Sequence, residues 1–382
     1  MATVLNTTSI EKIQDSLTYH GRTLIDSKGR LHLNWTCAGI SFMYTGSYLI
    51  AEIEAEPGIE QDFRNDNPFK QEIVQRETWP YLAVFVDDSE DPVQRIEISN
   101  RTGSYTLFVT NQPGWHKITI RKLTENPKGK TAICSLAIDG EIKPVQSDDD
   151  RLRLEFIGDS ITCGFGNATH IRDRAFYADE EDGWMSHAAI AGRILNAETS
   201  LISYSGIAIM PWGNMPGPMP PAMKELYPYT DRLAEELTGQ TTELTAWDFE
   251  SHKPDVIILN LGTNDATVIE VKELGRSGME VFEAAYYEFL QLLREKNGPD
   301  PWIICSLGKM DYFLYENICR AAKQFASDYS DKKVKCFKYS KIRFMDGIGA
   351  SGHPNIKTHQ RMGEEIAAFI RELLNDGGAN GL

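Results

Sequence analysis

Between about residues 22 and 145 apolar and polar residues alternate in short runs, each soon broken by turn residues. The runs lie at 30–35, 40–44, 48–54, 82–86, 95–99, 105–109, 116–121 and 132–138, with turns such as Tyr44-Thr-Gly-Ser47, Asn111-Gln-Pro-Gly114 and Asp139-Gly140 between them. A period of two places alternate side chains on opposite faces of a strand, so each run can bury one face and wet the other. About eight strands at this spacing predict a β-sandwich of jelly-roll type. Residues 56–78 interrupt the pattern with a long polar stretch that reads as a surface loop.

The pattern changes after Gln146-Ser-Asp-Asp-Asp150, a solvated charge run, which places a domain boundary between 1–150 and 151–382. Beyond it five apolar runs, at 152–157, 199–204, 256–261, 302–307 and 334–339, are separated by helical patterns at 184–195, 222–237, 279–295 and 314–326. A last helix over 355–374 gathers Met362, Ile366, Phe369, Ile370 and Leu373 on one stripe. Several of the runs are continuously apolar, as strands covered on both faces must be, so the second domain is expected to be a three-layer α/β fold with a flavodoxin-like parallel sheet.

Composition narrows the partners. A formal charge of -16 disfavours nucleic acid, which is held by clustered Lys and Arg, and disfavours acidic membrane surfaces for the same reason. The six cysteines stand singly without a C-x-x-C pair, which reads as free and mostly buried thiols. The first residues lack a basic and apolar leader, and no run of about 18 apolar residues follows. The expectation is a cytoplasmic protein, or a secreted one if a leader has been trimmed away.

Candidate chemistry sits where three successive strands end. Gly158-Asp-Ser160 follows the first, Ser205-Gly206 the second and Gly262-Thr-Asn-Asp265 the third. With a strand order 2-1-3-4-5 these ends are neighbours at the switch point of the sheet, where ligands bind. Ser160 would be a nucleophile, and the N–H groups of Ser160 and Gly206 with the Asn264 amide would form an oxyanion hole. Glycine suits position 206 because only a residue without Cβ lets its N–H approach a substrate closely. A serine hydroxyl needs a base, and His353 is favoured among the eight histidines. It ends a glycine-rich loop, Gly347-Ile-Gly-Ala-Ser-Gly-His353, and Pro354 after it suits a first helical position. His20, His32, His116, His170, His187 and His252 have no comparable partner in the pattern. His359 lies about 240° round the helix from His353 and points elsewhere.

With these residues in place the sequence resembles the SGNH (GDSL) hydrolases, and within them carbohydrate esterase family 2, acetyl esterases with an N-terminal β-sandwich. The resemblance rests on Ile157-Gly-Asp-Ser-Ile-Thr-Cys-Gly-Phe-Gly-Asn167, Ser205-Gly206, Asn260-Leu-Gly-Thr-Asn-Asp265 and His353-Pro-Asn-x-x-x-His359-x-x-Met362. Trp247-x-Phe249, Lys253-Pro-Asp255, Glu225-Leu-Tyr227, Gly21-Arg22 and Trp35 extend it over nearly the whole chain. It implies a serine esterase that deacetylates plant oligo- or polysaccharides of xylan or mannan type through an acetyl-enzyme, with no metal and no cofactor. Many relatives carry an Asp three residues before the histidine, where this chain has Ala350. A backbone carbonyl can orient the imidazole instead, as the resemblance suggests, and Asp346 is the second candidate for the acid.

Each reading has a plainer rival. Ser160 alone would be a helix cap. Asp159 and Asp265 could ligate a metal with His353, but hydrogen-bonding the tight turns that carry Ser160 and Asn264 is the expected use. The proline-rich stretch 210–221 reads equally as a plain surface loop or as a functional one in which Trp212, at the mouth of the site, could stack on a sugar. Trp184 reads as core, and Arg22 and Trp35 as packing within the fold. The functional alternatives are a carbohydrate-binding protein without activity, or a lipase or thioesterase with another acyl preference.

Overall fold

The structure, a computed structural model, describes residues 4–61, 75–112, 114–146, 150–169, 171, 176–213, 220–238, 244–308 and 310–379. The chain divides into two compact units, one of residues Met1–Asp150 with Tyr177–Glu181, the other of Arg151–Phe176 with Asp182–Leu382. The first unit therefore takes five residues from beyond residue 150, which the alternation of apolar and polar positions does not announce.

In the first unit a seven-stranded sheet runs Thr102–Val109, Tyr48–Gln61, Gly129–Ile138, Leu31–His32, Leu24–Ile25, with Asn6–Ser9 and Gln75–Thr78 off its path. A six-stranded sheet runs Ile142–Lys143, Gly39–Tyr44, His116–Lys122, Tyr81–Val86, Gln94–Glu97, with Thr18–His20 beside Gly39–Tyr44. Neighbouring strands pair antiparallel. Leu49, Ala51 and Ile53 of one sheet and Ile40, Phe42, Ile118, Ile120, Leu82 and Val84 of the other share a single core, at alternate positions along their strands. Two sheets packed face to face bury such alternating residues between them. Removing one large member, as in Phe42→Ala, typically costs about 3–5 kcal/mol.

The stretch 56–78 differs from its expected surface loop at both ends. The strand Tyr48–Gln61 continues into it, and Gly58 to Gln61 pair with Thr78 to Gln75. Glu60 is buried there, with Arg76 at 2.5 Å and Lys128 at 3.3 Å. Its charge is matched within the fold, which a reading by polarity cannot distinguish from solvation. Residues 62–74 lie outside the described part.

In the second unit five strands make one parallel sheet in the order Glu198–Ser203, Arg153–Gly158, Val256–Asn260, Trp302–Leu307, Val334–Lys338. Numbered along the chain this is 2-1-3-4-5, so the ends of the first three strands adjoin at the point where the winding reverses. Val256, Ile257, Ile258 and Leu259 are all buried, as a strand covered on both faces requires. The expected helix 184–195 begins later. Asp182 caps a 3₁₀ turn, Gly183–Met185, and Ser186 then caps His187–Leu195 by accepting from Ala189 N–H. The expected 222–237 helix splits into Met223–Leu226 and Arg232–Thr238 around Pro228, which has no N–H to continue the ladder. A helix at Thr263–Val271 escaped the pattern, because Thr263, Thr267, Val268, Ile269 and Val271 are β-branched and weak helix formers. The last helix spans Ile356–Ala379, and Asn355 caps it by accepting from Thr358 N–H at 3.1 Å. Pro354 thus precedes the cap and does not occupy the first helical position. No described helix is long and apolar enough to cross a membrane.

Candidate active site

The first strand ends at Gly158, where an added Cβ would lie 2.0 Å from Thr162 Oγ1. Any side chain at this position would collide with Thr162. Asp159 then caps the short helix Ser160–Cys163, its Oδ1 accepting Ile161 N–H at 2.9 Å. Gly164, with φ of 86°, ends that helix in the left-handed region. Ser160 is left at the rim of the sheet with 8% of its surface exposed, held by backbone on both sides.

From the other end of the chain, residues 349–353 fold into a knot. Gly349 N–H donates to His353 O at 2.8 Å, His353 N–H to Ala350 O at 2.9 Å, and Ala350 N–H to Gly166 O at 3.2 Å. This knot delivers the half-buried His353, whose Nε2 lies 2.8 Å from Ser160 Oγ while Nδ1 lies 3.0 Å from Ala350 O. A carbonyl can only accept, so the network assigns the ring proton to Nδ1 and leaves the Nε2 lone pair facing the serine O–H. The ring also stacks on Phe165 at 4.2 Å. Burial pushes the His353 pKa down to about 4, against the backbone contacts of Ala350 and Ser351 that favour the charged form. The imidazole is therefore neutral at pH 7.

Asp346, the second candidate for orienting His353, is engaged elsewhere. Its carboxylate pairs with Arg361, and its carbonyl accepts from Asn355 Nδ2 at 2.5 Å. The seven-residue separation on the chain carries it to the last helix, and the Ala350 carbonyl occupies the Nδ1 position.

The second and third blocks are tied together. Gly206 has φ of 79°, and nothing lies closer than 3.8 Å to where its Cβ would be. Asn264 donates one amide N–H to Ile207 O at 2.9 Å, leaving its second N–H for another acceptor. Asp265 is fully buried and accepts Ile209 N–H at 3.1 Å and Met210 N–H at 2.8 Å. Burial raises the Asp265 pKa to about 6 although those amide contacts oppose the rise. Both aspartates of the site thus engage backbone amides.

Trp212 departs from its expected place as an open sugar platform. It is 8% exposed, and its indole N–H donates to Gly206 O at 2.8 Å. Residues 214–219 of the same stretch lie outside the described part. Trp184 is half-buried with Arg193 over its ring at 4.3 Å, and Arg22 and Trp35 are buried in the first unit.

Three histidines set aside on the sequence do have side-chain partners. His20 Nε2 lies 2.6 Å from Ser41 Oγ, which lies 2.7 Å from Thr119 Oγ1. His32 meets Asp26 at 2.9 Å and His116 meets Asp87 at 3.2 Å. Ser41 is 1% exposed, in the interior of the first unit. A serine and an imidazole at bonding distance are not enough for chemistry when no substrate can reach them. His187 N–H donates to the buried His359 Nδ1 at 3.1 Å, and His252 Nδ1 faces Asp248 O at 3.1 Å. His170 lies outside the described residues.

Comparison with known proteins adds to this geometry. Residues 19–147 match the family described as carbohydrate esterase 2 N-terminal, and residues 154–366 match the GDSL-like lipase/acylhydrolase family. The chain is 30% identical over 290 residues to the cellulase/esterase CelE of Acetivibrio thermocellus, covering 74% of this chain and 33% of CelE. It thus spans about one third of the length of that relative. It is 26% identical over 304 residues to an acetylxylan esterase / glucomannan deacetylase of Cellvibrio japonicus, covering 76% of this chain and 78% of the relative. Among solved structures, a family two carbohydrate esterase from Clostridium thermocellum in complex with cellohexaose superposes with a TM-score of 0.76 at 26% identity, over 94% of this chain and 99% of the other. The acetyl xylan esterase Est2A from Butyrivibrio proteoclasticus shares the fold, with a TM-score of 0.79 at 24% identity over 97% and 99% of the two chains.

Proposed function

The chain belongs to the GDSL-like lipase/acylhydrolase family, and on that premise we propose that it is a serine esterase removing O-acetyl groups from plant polysaccharides or oligosaccharides of xylan or mannan type. One observation carries the reading. Ser160 Oγ stands 2.8 Å from a neutral imidazole nitrogen whose ring is held from behind by a carbonyl at 3.0 Å. The acetyl-sugar specificity draws on the relatives' names, acetylxylan esterase / glucomannan deacetylase, and on the carbohydrate esterase 2 match ahead of the hydrolase unit.

In the proposed reaction His353 Nε2 takes the Ser160 proton as Oγ attacks the ester carbonyl. The carbonyl oxygen becomes an anion in the tetrahedral intermediate, stabilised by the N–H groups of Ser160 and Gly206 and by the spare amide N–H of Asn264. The imidazolium returns its proton to the departing sugar oxygen, leaving acetyl-Ser160. Water, deprotonated by the same nitrogen, releases acetate and restores the serine. While the imidazole is charged, the Ala350 carbonyl dipole faces its Nδ1–H and supplies the stabilisation that a carboxylate gives in the serine–histidine–aspartate arrangement.

The test is acetate release from acetylated xylan and glucomannan oligosaccharides and from an aryl acetate, by wild type and Ser160→Ala. Wild type should release acetate from all three and the variant should be at the uncatalysed level on each. Equal rates for the two proteins would sink the proposal.

A further inference from the structure

The N–H of Gly206 can stabilise an oxyanion only if it is already aimed when charge develops, because preorganisation is what gives such donors their effect. Gly206 is poorly suited to hold that aim by itself. Glycine is the most flexible residue, its φ here is 79°, and around the missing Cβ the nearest atoms are Pro220 Cγ and Cδ at 3.8 and 3.9 Å. Packing does not pin it, so hydrogen bonds must.

The segment that follows is fastened residue by residue. Asn264 Nδ2 donates to Ile207 O at 2.9 Å, Met223 N–H to Ala208 O at 2.9 Å, and Asp265 accepts from Ile209 and Met210. Gly206 itself lies in a turn that Ile207 N–H closes by donating to Tyr204 O at 3.1 Å. Among the described residues, the side chain that reaches the Gly206 carbonyl is the Trp212 indole, whose N–H donates to it at 2.8 Å from six residues further on. That bond closes a loop whose middle, at Ile209 and Met210, is anchored by the buried Asp265 carboxylate.

We infer that Trp212 is a positioning residue of the oxyanion hole: its indole N–H clamps the Gly206 carbonyl and, with the Tyr204–Ile207 turn bond, fixes the backbone about the Gly206 Cα, so that the Gly206 N–H on the preceding peptide faces the oxygen of the tetrahedral intermediate. The inference rests on the esterase reading above and goes beyond it by assigning the loop tryptophan to transition-state stabilisation. A residue of this kind should act on kcat and leave ground-state binding nearly alone.

The experiment compares wild type with Trp212→Phe, which keeps a ring and loses the N–H. A second variant carries 3-benzothienylalanine at position 212, a shape copy of tryptophan with sulfur in place of the N–H, so that a packing fault in the phenylalanine variant does not decide the matter. The readouts are kcat and KM on an aryl acetate and the inhibition constant of a small alkyl boronic acid, which forms a tetrahedral anion on the serine. Misaiming a catalytic group by about 1 Å can cost on the order of 10²-fold, so kcat should fall by about tenfold to a hundredfold in both variants. KM should move by less than about twofold, and boronate affinity should fall by the same factor as kcat. Wild-type kcat and boronate affinity in the benzothienyl variant would overturn the inference and leave the esterase reading standing. A wild-type protein without esterase activity would instead remove that reading, and this inference with it.

Discussion

Acidification is the perturbation that most directly interrogates a histidine held by a carbonyl instead of a carboxylate. Burial shifts the His353 pKa from its ordinary 6.5 to about 4, and among the described residues no anion faces the ring to offset that shift. At about 1.4 kcal/mol per unit, the fold disfavours the imidazolium by roughly 3 kcal/mol. The folded pKa lies below the unfolded one, so neutral His353 contributes stability that is fully present above 6.5 and is lost as the pH falls through about 4. The free-enzyme base should titrate at the same place. At pH 5 about nine-tenths of the imidazole is neutral, where an ordinary imidazole would be only about 3% neutral. The assay is kcat/KM on an aryl acetate from brief initial-rate measurements between pH 3.5 and 8, since that parameter reports the free enzyme. The acid limb should have its midpoint near 4, with an unchanged plateau from pH 5.5 upward. A midpoint at 6 to 7 would refute the reasoning, because it would mean that the imidazolium finds an anionic partner or bulk water in this site.

Three further outcomes are expected. Gly166→Ala would set a Cβ 2.4 Å from Ala350 Cβ at a φ of 52°, displacing the residue whose carbonyl holds His353; kcat should fall by about tenfold or more and stability by about 1–3 kcal/mol, read by kinetics and urea unfolding. Asp346→Asn should change kcat by less than about threefold, since that carboxylate pairs with Arg361; a loss near the 10⁴-fold scale seen when an orienting aspartate is removed would restore it as the acid. Asp265 has its folded pKa raised from 3.8 to about 6, so its protonated form contributes stability present below 3.8 and lost as the pH rises through 6, about 3 kcal/mol in all. Urea unfolding from pH 3.5 to 7.5 should therefore show wild type losing ground to Asp265→Asn by that amount; parallel curves would count against it.

The parts of this protein that the sequence made legible are those where one local signal has one physical outcome. Continuous apolar runs became parallel strands, alternating runs became the two antiparallel sheets, and the three strand-end motifs came together because the order 2-1-3-4-5 leaves them no other place. What stayed hidden depends on pairing across the chain. Glu60 looks solvated until Arg76 and Lys128 are seen beside it, and Asp346 looks available until Arg361 takes it from fifteen positions along. The pair His20 and Ser41 carries no sequence mark at all, being set by the register of Thr18–His20 against Gly39–Tyr44. Trp212 was legible as an aromatic near the site, but its burial and the direction of its N–H follow from the fold of the segment after Gly206, which polarity does not report.

The five residues Tyr177–Glu181 give the sandwich a discontinuous blueprint. Ala178 N–H donates to Glu60 at 3.1 Å, Glu181 accepts Glu125 N–H at 3.2 Å, and Arg95 reaches the Glu181 carbonyl at 2.6 Å. A gene fragment stopping at codon 150 would encode every described strand of that sandwich and still leave those groups facing a gap. Cut-and-paste exchange of this module between proteins is therefore not a matter of one splice point: the donor must also bring a short phrase written inside the reading frame of its neighbour, downstream of Ser160. Synthesis inherits the same grammar, since a ribosome that has finished the sandwich strands has not yet made the piece that completes them.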